Sequence, residues 1–366
     1  MCGIAGIIGK RPVSSSAVEH MNNLQEHRGP DDSGLWQSSD RNVVLGHRRL
    51  SIIDTSEAGH QPMINGTQVI TFNGEIYNYL EVGAKLKAEG VSLDTASDTE
   101  VLLKAYQHWG ENALDELNGM FAFALFDADR QQLFCARDRF GEKPFLFHSG
   151  SDCFAFASEY KALLALENIG SAYDQDRVLR FLYHPTQGLD DEEQTVFDDI
   201  KQLPPGHSLT LNTKTLEYKI QRYWDVAPNA DYARMSEPEA QNHFRDLFTD
   251  SVKLRMRSDV PLGSCLSGGL DSSSIVCLAK DIRGRDNPYD VFTGRFPGSE
   301  ADEWPWAEQI INHTSTTSHV TKPTAEDFQS ELASFIWHNE LPVGSTSQYA
   351  QWCVFRLAKE AGVTVL

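Results

Sequence analysis

"MCGIAG" (residues 1–6) puts a cysteine directly behind the initiator methionine and follows it with an apolar run, and this placement decides how the first half of the chain is read. Removal of Met1 would leave Cys2 with a free α-amino group, so that one residue supplies both a nucleophile and a base. A thiol with a pKa of about 8.5 is mostly protonated at neutral pH, whereas an α-amine at about 7.7–8.0 is partly unprotonated and able to take the thiol proton, directly or through water. By default a cysteine in second position simply packs in a strand. The rest of the chain has to choose between the two.

The chain of 366 residues is too long for one ordinary core and favours two or three domains. Its 32 basic and 52 acidic residues give a formal charge of −20, which repels phosphates and anionic membrane surfaces, so neither nucleic acid nor membrane is expected as a partner. No run of about 18 apolar residues is present, and "KRPVSSS" breaks the N-terminal apolar segment too early for a secretory signal. The six cysteines are scattered without a CxxC pair, which argues against a zinc site or a disulfide framework and fits a reducing, cytoplasmic location.

Strand and turn signals dominate the first two hundred residues. "CGIAGIIG" and "VITFNG" are apolar runs closed by turn residues, and "MFAFALFDADRQQLFCARD" reads as two buried strands around an Asp-rich turn. Helices fit "SAVEHMNNLQEH", with Val18, Met21 and Leu24 at helical spacing, and "SDTEVLLKAYQHWG", which opens with a Ser97–Glu100 capping box. This is an α+β pattern over 1–215. A polar, Pro-containing stretch follows and places a linker at 216–236. From 237 the pattern changes to βαβ units: a helical face of Phe244, Leu247, Phe248 and Val252, a strand in "SDVPLGSCL", a helix in "DSSSIVCLAKDI", a strand in "YDVFTGRF", a helix at "WAEQIINH", the helix "YAQWCVFRLAKEAG" and a last strand "VTVL". An α/β domain with a parallel sheet is therefore expected over 237–366.

An acyl-transfer site built on Cys2 needs oxyanion donors and groups that hold the substrate. "FNGEIYN" offers the Asn73 side-chain amide and the Gly74 N–H, although Asn-Gly alone is ordinarily a hairpin turn. "GHRRLSIID" offers Arg48 and Arg49, able to grip a carboxylate by paired hydrogen bonds but by default surface charges. Asp98 is open to explanation as part of the helix cap. In the second half, "CLSGGLDSSS" (265–274) lies between a strand and a helix. Gly268 and Gly269 allow close approach of the backbone there, and Ser267, Ser272 and Ser273 add hydroxyls around a helix N-terminus. This makes a phosphate cradle, with a plain Gly/Ser helix cap as the default for a bare "SGG". No GxxxxGK[ST] is present, so a Walker-type kinase has no support.

"MCGIAG", "HRGPDDSG", "GHRRLSIID", "FNGEIYNY", "SDTE" and "RDRFGEKP" occur in this order. Together they resemble the class II glutamine amidotransferases, and most closely the glutamine-hydrolysing asparagine synthetase family, over nearly the whole chain. The resemblance implies an N-terminal nucleophile hydrolase-like domain of stacked antiparallel sheets with flanking helices. There Cys2 attacks glutamine, Asn73 and Gly74 hold the oxyanion, and Arg49 and Asp98 clamp the α-carboxylate and α-ammonium. Leu50, Ser51, Ile52 and Ile53, through their backbone, and Glu75 complete the pocket by the same analogy. "SGGLDSS" resembles the pyrophosphate loop of adenylate-forming ATP pyrophosphatases. That implies ATP at Ser267, Gly268, Gly269, Asp271, Ser272 and Ser273, with Leu266, Thr293 and Gly294 near the adenosine. Asp271 beside a triphosphate calls for a bridging Mg²⁺. Asp302 and Glu303 align with an acidic pair in relatives, or else simply open a helix.

Ammonia released at Cys2 would pass to a carboxylate activated by ATP as an acyl-adenylate, aspartate first, with a sugar uronic acid as the alternative acceptor. Relatives continue past "VTVL" with further ATP-contacting residues, so the chain is expected to be a piece of a longer protein, and a homodimer is implied by analogy. A plain glutaminase is opposed by the intact "SGGLDSS". A β-lactam synthetase is opposed by Cys2, since those enzymes have generally lost the nucleophile, and a decayed regulatory homologue by the presence of every catalytic residue type through Ser273.

Overall fold

Period-two alternation builds the core of the first unit. In the computed structural model, which describes residues 1–300 and 302–366, twelve strands of this unit form two six-stranded sheets with antiparallel pairing throughout. They are β1 (Gly3–Gly9), β2 (Asp32–Gln37), β3 (Val43–Arg49), β4 (Met63–Asn65), β5 (Gln68–Ile76), β6 (Gly119–Asp127), β7 (Gln132–Arg137), β8 (Leu146–Ser149), β9 (Cys153–Ala157), β10 (Lys201–Gln202), β11 (His207–Asn212) and β12 (Tyr218–Arg222). One sheet runs β10-β8-β9-β1-β3-β2, the other β12-β11-β7-β6-β5-β4. Every second residue of each faces the other sheet. Ile4 and Ile8, Val43 and Leu45, and Phe154 and Phe156 meet Ala122, Ala124 and Phe126, Leu133 and Cys135, and Leu209 and Leu211 in one buried cluster.

The intervening residues face outward onto helices. Phe72, Phe121, Phe123 and Phe134 pack with Leu102, Leu103 and Tyr106. These last come from α3 (Asp98–Trp109), which follows α1 (Ser15–Leu24) and α2 (Tyr79–Ala88). The buried Val18 and Met21 of α1 lie on the side of β1 and β3. Shorter helices α4 (Ala113–Glu116), α5 (Tyr160–Leu164) and α6 (Gln175–Tyr183) complete the unit.

Two local expectations fail here. Asn73-Gly74 is no hairpin turn: β5 runs through it to Ile76, paired throughout with β6. The Ser97–Glu100 capping box does not form either. Ser97 caps α3 through the Thr99 N–H, while the Glu100 carboxylate turns back to accept from the N–H groups of Asp94 and Thr95 and from the Thr95 hydroxyl. A buried carboxylate with three donors in the preceding loop has no need of the cap.

The chain divides into Met1–Val226 and Ala227–Leu366. The first unit thus extends past the expected boundary at 215, and part of the expected linker 216–236 is sheet. Leu216 is buried in the core, and Tyr218–Arg222 pairs with β11, because Tyr218 and Ile220 alternate inward.

In the second unit a parallel sheet forms from β13 (Ser264–Cys265), β14 (Asp290–Gly294) and β15 (Thr317–Thr321), in that order. It is surrounded by α7 (Glu237–Arg255), α8 (Leu270–Arg283), α9 (Trp304–Thr314), α10 (Ala325–Asn339) and α11 (Ser347–Glu360). Val291 packs with Val276, Ala279 and Ala307, whereas its neighbour Phe292 packs with Val354, Ala358 and Val363. Both faces of the sheet are therefore covered, as parallel strands require. The expected strand in "SDVPLGSCL" shrinks to two residues. The expected "VTVL" strand contributes one isolated bridge, Leu262 with Val365. Of the expected helical face on α7, Val252 is buried and Phe248 packs beside it, while Phe244 and Leu247 are exposed.

Candidate active site

Cys2 enters β1 from a backbone held on several sides. The Ile4 N–H donates to the Ser158 hydroxyl at 3.0 Å, and the Gln25 amide donates to the Ile4 carbonyl at 3.3 Å. The Cys2 carbonyl itself accepts from Arg28 Nε at 2.9 Å. Arg28 in turn donates to Glu159, which also accepts from His27 and pairs with Lys161. Burial pushes the Glu159 carboxyl up, but the His27 hydrogen bond, together with Arg28 and Lys161, outweighs it and holds the group down at about 2. The Cys2 thiol rests against the peptide of Leu50, accepting from its N–H at 3.4 Å and donating to its carbonyl at 3.6 Å. Burial raises the thiol pKa; the chain's α-amine and Lys143 pull it back, and Asp98 pushes it up further. The α-amine, here on Met1, is itself driven down to about 5 by burial, so it is an unprotonated base at neutral pH.

The strand that carries Asn73 has one open edge. β4 covers β5 only at Gln68–Ile70, so from Thr71 onward the edge away from β6 has no strand beside it. Side chains take over there. The Phe72 N–H donates to Gln61 Oε1 at 2.7 Å, His47 Nε2 meets the Phe72 carbonyl at 3.0 Å, and the Ile76 N–H donates to the Asp98 carboxylate at 2.9 Å. Strand geometry points the Gly74 N–H to this same edge, midway between Phe72 and Ile76. A side chain at 74 would collide with the Met120 carbonyl and with Phe121 on the opposite edge, so glycine is needed where the strands close up. Asn73 is fully buried, and among the described residues neither its side-chain nitrogen nor its side-chain oxygen has a hydrogen-bond partner. An orphaned buried amide is costly unless something else satisfies it.

Around this edge lie the charged candidates. Asp98 is buried, and burial raises its carboxyl to about 7, with Glu75 adding to the rise. Arg49, at the end of β3, donates to the carbonyls of Asp54 and Ser56, and a side chain at Gly59 would strike its guanidinium. The 50–59 segment is therefore wrapped around Arg49, and the Ser51 N–H is tied to Asp31 at 2.8 Å. Buried Glu75 has its pKa raised by burial and lowered by Lys143; the buried Lys143 ammonium has its pKa lowered by burial and raised by Glu75. These mutual influences place Cys2, Glu75, Asp98, Lys143 and the α-amine within electrostatic reach of one another.

Lys143 lies in "RDRFGEKP", and nothing in the sequence alone assigns it a role. The structure shows how that motif delivers it. Asp138 accepts from the N–H groups of Phe140, Glu142, Lys143 and Phe121, while Arg137 donates to the carbonyls of Gly141, Lys143 and Leu203. One loop is thus gripped from both sides. The signal in the sequence was an acid and a base leading into a lysine before the apolar run "PFLF". Gln61, His47 and Glu159 were missed as well, and nothing local marks them.

In the second unit Leu266 is buried, and its carbonyl accepts from Thr293 Oγ1 at 2.7 Å. Ser267, Gly268 and Gly269 then turn into α8. Gly268 has φ +99°, and a side chain there would meet the Glu303 carbonyl and the Ala307 N–H of α9. Ser267 Oγ and Ser272 Oγ lie 3.1 Å apart across the loop. Gly269 is the N-cap and supplies no side-chain acceptor to the first turn of α8, where Asp271 and Ser272 sit. Gly294 ends β14 next to this loop strand. Asp302 is committed elsewhere, paired with Arg295 at 2.9 Å, and Glu303 is the N-cap of α9. Among the described residues no group of three or more His, Cys, Asp or Glu side chains is arranged to hold a metal by itself. Asp271 is a single carboxylate, a donor set suited to a hard cation that takes its remaining ligands from phosphates and water.

Family models match both units: one described as glutamine amidotransferase domain over residues 1–224, and one described as asparagine synthase over residues 243–366. The chain is 33% identical over 389 residues to a putative asparagine synthetase [glutamine-hydrolyzing] 2 of Methanocaldococcus jannaschii, covering 100% of this chain and 73% of that protein. It is 35% identical to asparagine synthetase [glutamine-hydrolyzing] 1 of Bacillus subtilis, covering 98% of this chain and 56% of that one. Amidase chry2 of Gibberella zeae is 31% identical over 94% of this chain and 54% of its own length. The chain thus spans between 54% and 73% of the length of these curated relatives.

Proposed function

The chain belongs to the family of glutamine-hydrolysing asparagine synthetases, and from that membership we propose that its first unit releases ammonia from glutamine at Cys2 and that, in the complete protein, the second unit takes part in activating aspartate with ATP. The observation that supports the reading is the open edge of β5, which carries the orphaned Asn73 amide and the Gly74 N–H and is bonded at Ile76 to Asp98, a carboxylate within electrostatic reach of the buried Cys2 thiol.

With Met1 removed, the α-amine would belong to Cys2 and take the thiol proton. The thiolate attacks the side-chain carbonyl of glutamine, and the oxyanion that forms is met by Asn73 Nδ2 and the Gly74 N–H. Arg49 holds the α-carboxylate, Asp98 holds the α-ammonium, and the Leu50–Ile53 backbone with Glu75 closes the pocket. The proton returns to the leaving nitrogen and ammonia departs, leaving a thioester that water hydrolyses to glutamate. Ammonia then displaces AMP from aspartyl-adenylate, giving asparagine, with pyrophosphate already released in the adenylation step.

For the ATP half, the α8 N-terminus with Ser267, Gly268, Gly269, Ser272 and Ser273 suits pyrophosphate, and Leu266 and Gly294 suit the adenosine part. Asp271 would hold Mg²⁺, which supplies charge neutralisation at the phosphates. All six cysteines are unpaired, which suits the cytoplasm, and among the described residues no helix is long and apolar enough to cross a membrane.

The test is intact mass with N-terminal sequencing, followed by glutamine hydrolysis on the same sample and on Cys2→Ala. A chain beginning at Cys2 that releases ammonia, and a variant that does not, support the reading; hydrolysis that survives Cys2→Ala overturns it.

A further inference from the structure

The open edge of β5 is completed by side chains rather than by a strand. Going along it, the Phe72 N–H is taken by Gln61, the Gly74 N–H faces no protein acceptor among the described residues, and the Ile76 N–H is taken by Asp98. Of the two side chains that flank the gap, Gln61 is joined to the residue that follows the other. Gln61 Nε2 donates to Thr99 Oγ1 at 3.2 Å, and Thr99 follows Asp98 directly in the first turn of α3. Gln61 is 4% exposed and Thr99 2%, so water does not compete for either group. On the same edge, next to Gln61, the Phe72 carbonyl meets His47 Nε2, and Thr71 Oγ1 donates to the Gly46 carbonyl at 3.0 Å. Phe72, the residue before Asn73, is therefore held at both its N–H and its C=O.

We propose that Gln61 is a positioning residue for glutamine hydrolysis: its amide fixes the separation between the oxyanion donors Asn73 and Gly74 on β5 and the ammonium anchor Asp98 on α3. This rests on the reading given under Proposed function, in which those groups receive the two ends of one substrate. The chemistry makes the separation matter. The donors must meet the oxygen that becomes charged while Asp98 holds the far end of the same molecule, and an error of about 1 Å between them costs about 10²-fold in rate. A β-strand in this place would block the Gly74 N–H. A glutamine side chain leaves it open and still bridges to the helix.

The test uses the complete protein with Gln61→Met, Gln61→Glu and Thr99→Val, measuring kcat and KM for glutamine hydrolysis beside thermal stability. Gln61→Met keeps the length of the side chain and removes both hydrogen bonds; it should lower kcat and raise KM, with kcat/KM falling about 10- to 100-fold. Thr99→Val cuts only the link toward Asp98, so it should raise KM while kcat stays within about twofold. Gln61→Glu still accepts from the Phe72 N–H and from the Thr99 hydroxyl, and should recover most of kcat. A purely structural role would lower stability in Gln61→Met and leave kcat and KM of the folded enzyme near wild type, and that result overturns the proposal. Should Gln61→Met not fold, Thr99→Val decides alone, and an unchanged KM there also overturns it. Absence of hydrolysis in the wild-type protein is a different outcome, since it removes the glutaminase reading and this inference with it.

Discussion

The Ile76 N–H donates to the Asp98 carboxylate at 2.9 Å, two residues beyond Gly74 on the same edge of β5. This bond ties the candidate ammonium anchor to the strand that carries the candidate oxyanion donors, so on the proposed reading substrate binding and catalysis would share one element. Burial holds Asp98 at about 7, above its ordinary 3.8, because the backbone N–H groups around it do not replace the water it has lost.

A ligand ammonium restores the charged form, so glutamine affinity should depend on pH through this group. On a Cys2→Ala background, where no turnover intervenes, calorimetry should show glutamine binding tightening as pH rises toward 7, by roughly tenfold per unit below that point. Asp98→Asn should bind weakly at every pH. The unliganded protein should show the opposite trend in stability. The folded state keeps a proton that the unfolded chain releases above 3.8, so stability declines as pH rises through the window up to about 7, and Asp98→Asn should remove that decline. Binding that does not change with pH would separate Asp98 from the ammonium.

Asn73 makes a cleaner separation between function and stability. Its side-chain nitrogen and oxygen have no hydrogen-bond partner among the described residues, so replacing it by alanine breaks no hydrogen bond there and removes an unsatisfied amide from the interior. Asn73→Ala should therefore lower kcat for glutamine hydrolysis by about 10²–10³-fold while changing unfolding free energy by no more than about 1 kcal/mol. Denaturant melts beside steady-state rates check both. A large loss of stability with kinetics intact would make Asn73 a packing residue.

How much of this was visible in the sequence follows from chain distance. Cys2, Asn73, Gly74, Arg49 and Asp98 sit in short strings that carry their own context. The strand pair around "FDADRQQ" and the helices at 15–24 and 98–109 show in simple periodicity. What stayed hidden acts across the fold. Gln61 meets partners 11 and 38 positions away, and Glu159 meets Arg28 across 131. Asn-Gly looked like a turn because local propensity favours one, yet pairing along the whole of β6 overrides it. β15, "TSHVT", escaped because its residues are partly or fully exposed and show no apolar alternation.

Glu159 anchors the group that holds the Cys2 carbonyl. Although burial opposes its charge, His27, Arg28 and Lys161 together keep its pKa at about 2, below the ordinary 4.5. A depressed carboxyl stabilises the fold fully above the unfolded value, and the contribution is lost as pH falls from about 4.5 toward 2. Glu159→Gln leaves Arg28 and Lys161 without their anion and should cost about 3 kcal/mol at pH 7. The difference from wild type should shrink on acidification. Urea melts at pH 7 and pH 3 measure it, and an equal cost at both would show that packing, not charge, is lost.

Asp271 belongs to the other unit, and its removal should act there alone. It sits exposed in the first turn of α8, and its side chain makes no hydrogen bond among the described residues, so Asp271→Ala should leave the fold and glutamine hydrolysis within about twofold of wild type. Aspartate-dependent exchange of pyrophosphate into ATP by the complete protein should fall at least about tenfold, because the carboxylate that would bridge to the phosphates through a cation is gone. Raising Mg²⁺ should partly restore the exchange if the loss is one of cation affinity. Exchange that is unchanged in Asp271→Ala would take the residue out of the phosphate site and leave the loop's backbone and serines as its only contacts.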